Sequence, residues 1–238
     1  MTKDSDHKLE PEHGHSPGIF FASERPIHEK EMHPLTVISM LKAELRRAQG
    51  IKINLYGGAG SGKTTSVETT GEPTLMVSAE AGLLPLRNTK ADIKVVEVHN
   101  MDDIEGVYNH LVGGSEFKWV FIDSITEIAE VVLAYELSVS KDPRKSYGEM
   151  ATKMIQLIKM FRDLPGYDIV MTAKMSRVQD DNGKLIYGPS MPGRQLGHQL
   201  PYLFDIVAPL RVERNTEGDL ERMLQMVRDD QFEAKDRS

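Results

Sequence analysis

Short apolar stretches recur along the chain, each closed by glycine, proline or a polar turn, and between them the apolar spacing changes from two residues to three or four. Ile51-Lys52-Ile53-Asn54-Leu55-Tyr56 alternates apolar and polar positions and runs into glycine, which predicts a strand. Thr74-Leu75-Met76-Val77-Ser78, Ile93–Val98, Lys118–Asp123 and Asp168–Ala173 read as further strands. Helical spacing predicts helices over Leu35–Ala48, Met101–Leu111, Ile125 to about Ser140 behind a Ser124 cap, Met150–Asp163, and Arg194–Phe204, the last bent or shortened by Pro201. Asp205–Val212 and Asp219–Val227 read as antiparallel strands around the turn Asn215-Thr216-Glu217-Gly218, the second equally compatible with a helix. The alternation predicts an α/β fold: a mostly parallel sheet flanked by helices, with antiparallel strands at its C-terminal end.

Three segments escape this pattern. Residues 1–34 are proline-bearing and poor in apolar positions, which predicts a flexible arm ahead of one domain spanning 35–238. Five of the eight histidines fall in that arm at irregular spacing, so no ligand set stands out. Its short apolar stretch Gly18-Ile19-Phe20-Phe21-Ala22 either packs on its own domain or adds to a neighbouring subunit's sheet edge. Lys141–Gly148 reads as a basic, aromatic-tipped loop between two helices. Lys174–Gly193 is long and polar, and Asp181-Asn182-Gly183 within it predicts a short β-ribbon.

The chemistry concentrates where the first core strand ends. Gly57-Gly58-Ala59-Gly60-Ser61-Gly62-Lys63-Thr64 satisfies G-x-x-x-x-G-K-[ST], between that strand and a segment, Thr64–Thr69, able to open a helix. Glycines let backbone N–H groups wrap a phosphate, and a helix N-terminus adds positive potential. Gly57 to Thr65 would thus hold the phosphates of ATP, Lys63 reaching the terminal ones and Thr64 placing its hydroxyl on Mg²⁺. About sixty residues on, Lys118-Trp119-Val120-Phe121-Ile122-Asp123 is an apolar run closing on aspartate, the second half of such a site, with Asp123 supporting the metal. Glu80 follows another strand, where a carboxylate either orients the attacking water or caps a helix. Glu127, one turn into the helix behind Ser124, is a second candidate, with a solvated helix glutamate the favoured reading.

Composition narrows the partners. At 39% hydrophobic and 27% charged residues the 238-residue chain has an ordinary globular balance, and it lacks cysteine, so disulfides and thiolate metal sites are out. No apolar run approaches the roughly 18–20 residues of a membrane span, so no membrane partner is expected, and a cytoplasmic setting is. A net charge of −7 excludes an all-basic surface, so contact with nucleic acid must come from local basic segments. Lys141, Arg144, Lys145 and Tyr147 in the first loop form one such segment, with cations and a ring suited to single-stranded nucleic acid, a polar helix connector being the other reading.

The order of parts resembles the RecA-like P-loop NTPase core, and most closely the phage-encoded AAA/RecA-like proteins of the single-strand annealing or minimal recombinase type. The likeness is carried by Val77-Ser78-Ala79-Glu80-Ala81, by Asp123-Ser124-Ile125-Thr126-Glu127, by Met191-Pro192-Gly193-Arg194 and by the ending Ala234-Lys235-Asp236-Arg237-Ser238. It implies a DNA-stimulated ATPase of the host-cell cytoplasm that binds single-stranded DNA through both loops, with Arg177, Lys184, Tyr187 and Arg194 in and after the second, and with a single-strand binding protein as a further partner. It also implies a homo-oligomer, ring or filament, in which a neighbour's Lys235 and Arg237 reach the γ-phosphate. Glu80 would then be the catalytic carboxylate. Lys174 departs from the pattern, standing where the RecA-like core carries a glutamine or histidine that senses the γ-phosphate. The chain also shows no counterpart of the extra domain with which full recombinases capture duplex DNA, so annealing is expected ahead of strand invasion. Two other readings stay open: a nucleotide-gated DNA-binding protein with little turnover, and another P-loop ATPase or a kinase acting on a small molecule.

Overall fold

A computed structural model describes residues 50–80, 82–179 and 183–238. The N-terminal arm and the helix expected over Leu35–Ala48 lie outside the described residues. Strand β1 (Lys52–Gly57) sits in the middle of the sheet, paired in parallel with β5 (Asp168–Gln179) on one side and β7 (Ile206–Arg214) on the other. Beyond β5 come β4 (Trp119–Asp123), β2 (Thr74–Ser78) and, at the edge, β3 (Ile93–Glu97), all parallel. Beyond β7 the antiparallel strand β8 (Leu220–Leu224) forms the other edge, and β9 (Lys235–Asp236) pairs antiparallel with the start of β7. β6 (Leu185–Pro189) folds back on the outer half of β5 as a two-stranded ribbon. The mostly parallel sheet with antiparallel strands at its C-terminal end is as the alternation predicts.

Burial follows position in the sheet. The side chains of β2 are buried throughout and those of β4 nearly so, whereas the edge strands β3 and β8 are largely exposed. One face packs on helices α1 (Met101–Val112), α2 (Ile125–Val139), α3 (Pro143–Arg162) and α4 (Arg194–Leu203) through a large cluster including Tyr56, Ile122, Ile128, Met154, Phe161 and Leu196. The other face carries a smaller cluster that includes Leu55, Met76, Phe121 and Val67.

Two expectations are corrected. Thr64–Thr69 is a six-residue 3₁₀ helix, not the opening of a longer α-helix; four of its six residues are Thr or Val at Thr64, Thr65, Val67 and Thr69, which resist helix, and Gly71 follows at φ +69°. The loop expected over Lys141–Gly148 is mostly helix, because α3 starts at Pro143. Asp142 accepts a hydrogen bond from Arg144 N–H and Pro143 occupies the first turn, where its missing N–H costs nothing. Elsewhere Ser124 and Asn100 cap α2 and α1, and Pro201 falls in the last turn of α4.

The end of the sheet opposite the glycine loop buries a cation. Lys52 is 6% exposed and its Nζ donates to the Tyr167 carbonyl at 2.6 Å, with Asp168 and Asp205 nearby. Burial pushes its pKa below the ordinary 10.5 despite those two carboxylates. Between the lowered value and 10.5 the unfolded chain binds more protons at this residue than the folded one, so its contribution to stability rises with pH across that window. Lys52→Met is expected to remove this rise, measured as the difference in urea midpoint between the two proteins across the alkaline range. An unchanged pH slope would refute the assignment.

Candidate functional site

The glycine loop leaves the C-terminal end of β1 and turns at once. A Cβ on Gly57 would lie 2.6 Å from Ser61 Oγ and 2.8 Å from the Leu210 carbonyl, so only glycine fits. Gly60 and Gly62 sit at φ +72° and +101°, the left-handed region, with Ala59 and Gly60 exposed at the tip. Ser61 N–H donates to Gly58 O at 3.3 Å, closing the turn. Lys63 folds over the loop, its Nζ donating to Gly57 O at 3.1 Å and Gly58 O at 3.0 Å. Thr64 and Thr65 follow half-buried at the start of the 3₁₀ helix.

Thr64 Oγ1 donates to Asp123 Oδ2 at 2.6 Å, although 59 residues separate them. Asp123 is 2% exposed at the end of β4, and its other oxygen accepts from Thr172 Oγ1 on the intervening strand β5. Both carboxylate oxygens are therefore fixed, one of them on the hydroxyl that the loop presents. This pairing of hydroxyl and carboxylate suits a hard divalent cation such as Mg²⁺, which prefers oxygen ligands, keeps most of its waters and is held beside phosphates by one or two protein groups. Thr64 and Asp123 would hold the ion there, and it would supply charge neutralisation for phosphoryl transfer. Among the described residues no cluster of three or more His, Asp or Glu offers another metal site.

Glu80 lies just beyond β2, beside Asp123, and its Oε1 accepts from Ser124 Oγ at 2.7 Å. Ser124 is fully buried, with its own oxygen accepting from Glu127 N–H at 3.4 Å, and the Asp123–Ser124 peptide is cis. Glu127 is ion-paired with Lys174, which also reaches Glu130 at 3.4 Å. Lys174 stands opposite Gly57 in the β1–β5 register, and Glu127 holds its pKa above the ordinary lysine range.

The basic segments also gather at this end of the sheet. α3 is 20 residues long, about 30 Å, while β5 from Asp168 to Lys174 covers only about 20 Å, so the start of α3 overshoots the sheet on the side of the glycine loop. Lys141, Arg144 and Lys145 are exposed there. Tyr147 packs toward Gly193, its ring 3.1 Å from where a Cβ would stand, which brings the start of α3 to the start of α4 at Arg194. On the ribbon Arg177 is exposed over the Tyr187 ring at 5.5 Å, Tyr187 stacks on Phe232 at 5.1 Å, and Lys184 pairs with Asp230 at 2.8 Å. Tyr187 is thus engaged within the chain rather than presented as an open ring.

Lys235 and Arg237 lie elsewhere. β9 pairs with Ile206 and Val207, beside the start of β1 and about 13 Å along the strand from the glycine loop. Lys235 Nζ donates to the Pro201 and Phe204 carbonyls at the end of α4, and Arg237 pairs with Asp205 at 2.9 Å. Within one chain neither reaches the site.

Sequence reasoning missed Thr172, Thr126 and Arg222. Thr172 fixes Asp123. The Thr126 hydroxyl accepts from Lys174 N–H at 3.0 Å and donates to Ser190 O at 2.8 Å, tying the base of the ribbon to α2. Arg222 donates from Nε to Ser61 O at 3.1 Å. Each contact depends on strand register, for which the sequence carries no local sign. Residues 49–238 match a family model described as an AAA domain. No curated protein matches the chain. No helix among the described residues is long and apolar enough to cross a membrane.

Proposed function

The chain belongs to the AAA-domain family of P-loop NTPases, and from that premise we propose that it is an ATP-dependent, single-stranded DNA-binding protein of the recombinase or annealing type. In this reading it assembles into oligomers and hydrolyses MgATP at subunit interfaces. The observation that carries the nucleotide site is the 2.6 Å hydrogen bond from Thr64 to Asp123, which joins the glycine loop to the end of the buried apolar strand. Lys63 and the loop amides bind the phosphates, Thr64 and Asp123 hold the metal, and Glu80 orients the water. DNA binding is supported by the exposed cations at the start of α3 and on the ribbon, which share one end of the sheet with the loop. A trans role for Lys235 and Arg237 would need a neighbour to pack the opposite end of its sheet against this loop and to release Arg237 from Asp205. The ion pairing of Lys174 with Glu127 and Glu130 favours one second reading, a nucleotide-gated DNA-binding protein with little turnover.

The test is ATP turnover with and without single-stranded DNA, on the native chain and on one with Lys141, Arg144 and Lys145 all replaced by alanine. DNA is expected to stimulate the native protein and to lose its effect on the variant. With three fewer phosphate contacts, the slope of log affinity against log salt should flatten by about 2. Turnover indifferent to DNA would remove the DNA reading and leave a P-loop ATPase with another partner.

A further inference from the structure

Arg222 belongs to no motif, yet it brings a side chain of the C-terminal hairpin onto the glycine loop. β7 passes Gly57 at Leu210 and continues to Arg214, so the hairpin overhangs the loop, and β8 returns with Arg222 opposite Val212. Its Nε donates to Ser61 O at 3.1 Å. A Cβ on Gly62 would fall 2.6 Å from that same Nε and 3.0 Å from Cδ, so the missing side chain of Gly62 is the space the arginine occupies. The side chain is exposed, and its two terminal nitrogens make no hydrogen bond or ion pair among the described residues. A guanidinium anchored by its inner nitrogen with the outer two unpaired presents a fixed fork to an anion.

The strand order says which anion. Asp123 and Glu80 lie on one flank of β1, at the ends of β4 and just beyond β2, and Arg222 lies on the other flank, two strands away on β8. A nucleotide whose metal and terminal phosphate sit with Asp123 and Glu80 runs back through the loop toward the opposite flank. We infer that Arg222 is a nucleotide-binding residue that grips the nucleoside-proximal phosphate of a nucleoside di- or triphosphate, from the same chain that supplies the loop. This rests on the nucleotide-site reading above. Because ADP and ATP share that phosphate, Arg222 contributes to both alike and does not distinguish them.

The test is the affinity of fluorescently labelled ADP and ATP, each with Mg²⁺, for the native chain, R222A and R222K. R222A is expected to bind both nucleotides about three- to tenfold more weakly, by equal factors, as befits one charge-assisted contact in a solvent-exposed place. R222K loses the bond to Ser61 but keeps a positive charge, and is expected to recover part of the loss. Unchanged affinity in R222A, or a loss confined to ATP, would overturn the inference while the nucleotide site stands. R222K binding as weakly as R222A would also overturn it, since the arginine would then only support the loop. A native chain that binds neither nucleotide would remove the site itself.

Discussion

Replacing Lys63 with alanine is expected to abolish detectable ATP turnover, with a loss of at least 10²–10³-fold, the scale on which removing one preorganised charge-stabilising donor acts. Lys63 now spans the loop, its ammonium on the Gly57 and Gly58 carbonyls. A phosphate entering the loop replaces those neutral acceptors with charged ones, and charge-assisted bonds of this kind are roughly twice as strong as neutral ones. The exchange is what Lys63 contributes to binding, and alanine forfeits it while leaving the fold intact, because the side chain is only half-buried. Two readouts separate these effects. Melting of the nucleotide-free variant should stay close to that of the native protein, whereas the upward shift produced by saturating MgATP should be lost. A variant that still turns ATP over at the native rate would show that the glycine loop is not the catalytic site.

Much of this site was legible because its signals are local. The strand into Gly57, the loop itself and the apolar run into Asp123 each lie within a dozen residues, and β2 and the start of α2 fall at the residues that periodicity and the Ser124 cap indicate. The start of α3 is equally local: Asp142-Pro143 is a cap followed by a first-turn proline inside the segment expected as a basic loop, and buried Ser146, whose hydroxyl donates to Glu136 O at 3.0 Å, fastens that turn to α2. The contacts that fix the site's geometry were not legible at all. Thr172 reaches Asp123 because β5 lies between β1 and β4, and Arg222 reaches Ser61 because the β7–β8 hairpin extends past the end of β1. Both are consequences of strand order and register, which pair residues 49 and 161 positions apart. Lys235 and Arg237 illustrate the converse. The family resemblance implies a reach into a neighbour's site, while in the chain they cap α4 and hold the tail to Asp205.

Glu80→Gln is expected to lower turnover by about 10²–10⁴, the range that general-base catalysis supplies, with nucleotide affinity changed by no more than a few-fold. Glutamine keeps the size of the side chain and can still accept the hydrogen bond from Ser124 Oγ, now at 2.7 Å, so the position survives and only the ability to take a proton is lost. In the proposed role, that proton would come from the water attacking the γ-phosphorus as the bond to the departing ADP breaks. Ser124 acts through Glu80, so Ser124→Ala should cost less than Glu80→Gln and the two losses should not add, because the serine has nothing to position once the carboxylate is gone. Additive losses would assign Ser124 a separate role. Native turnover in Glu80→Gln would move water activation elsewhere, and Glu127 cannot simply replace it while Lys174 holds that carboxylate. DNA annealing measured on the same variant then decides between the two readings of the protein. If annealing persists at the native rate while hydrolysis is lost, nucleotide binding alone sets the active state. If annealing falls with hydrolysis, the protein needs the cycle, and hydrolysis is coupled to the end of the sheet where the basic segments of α3 and the ribbon lie.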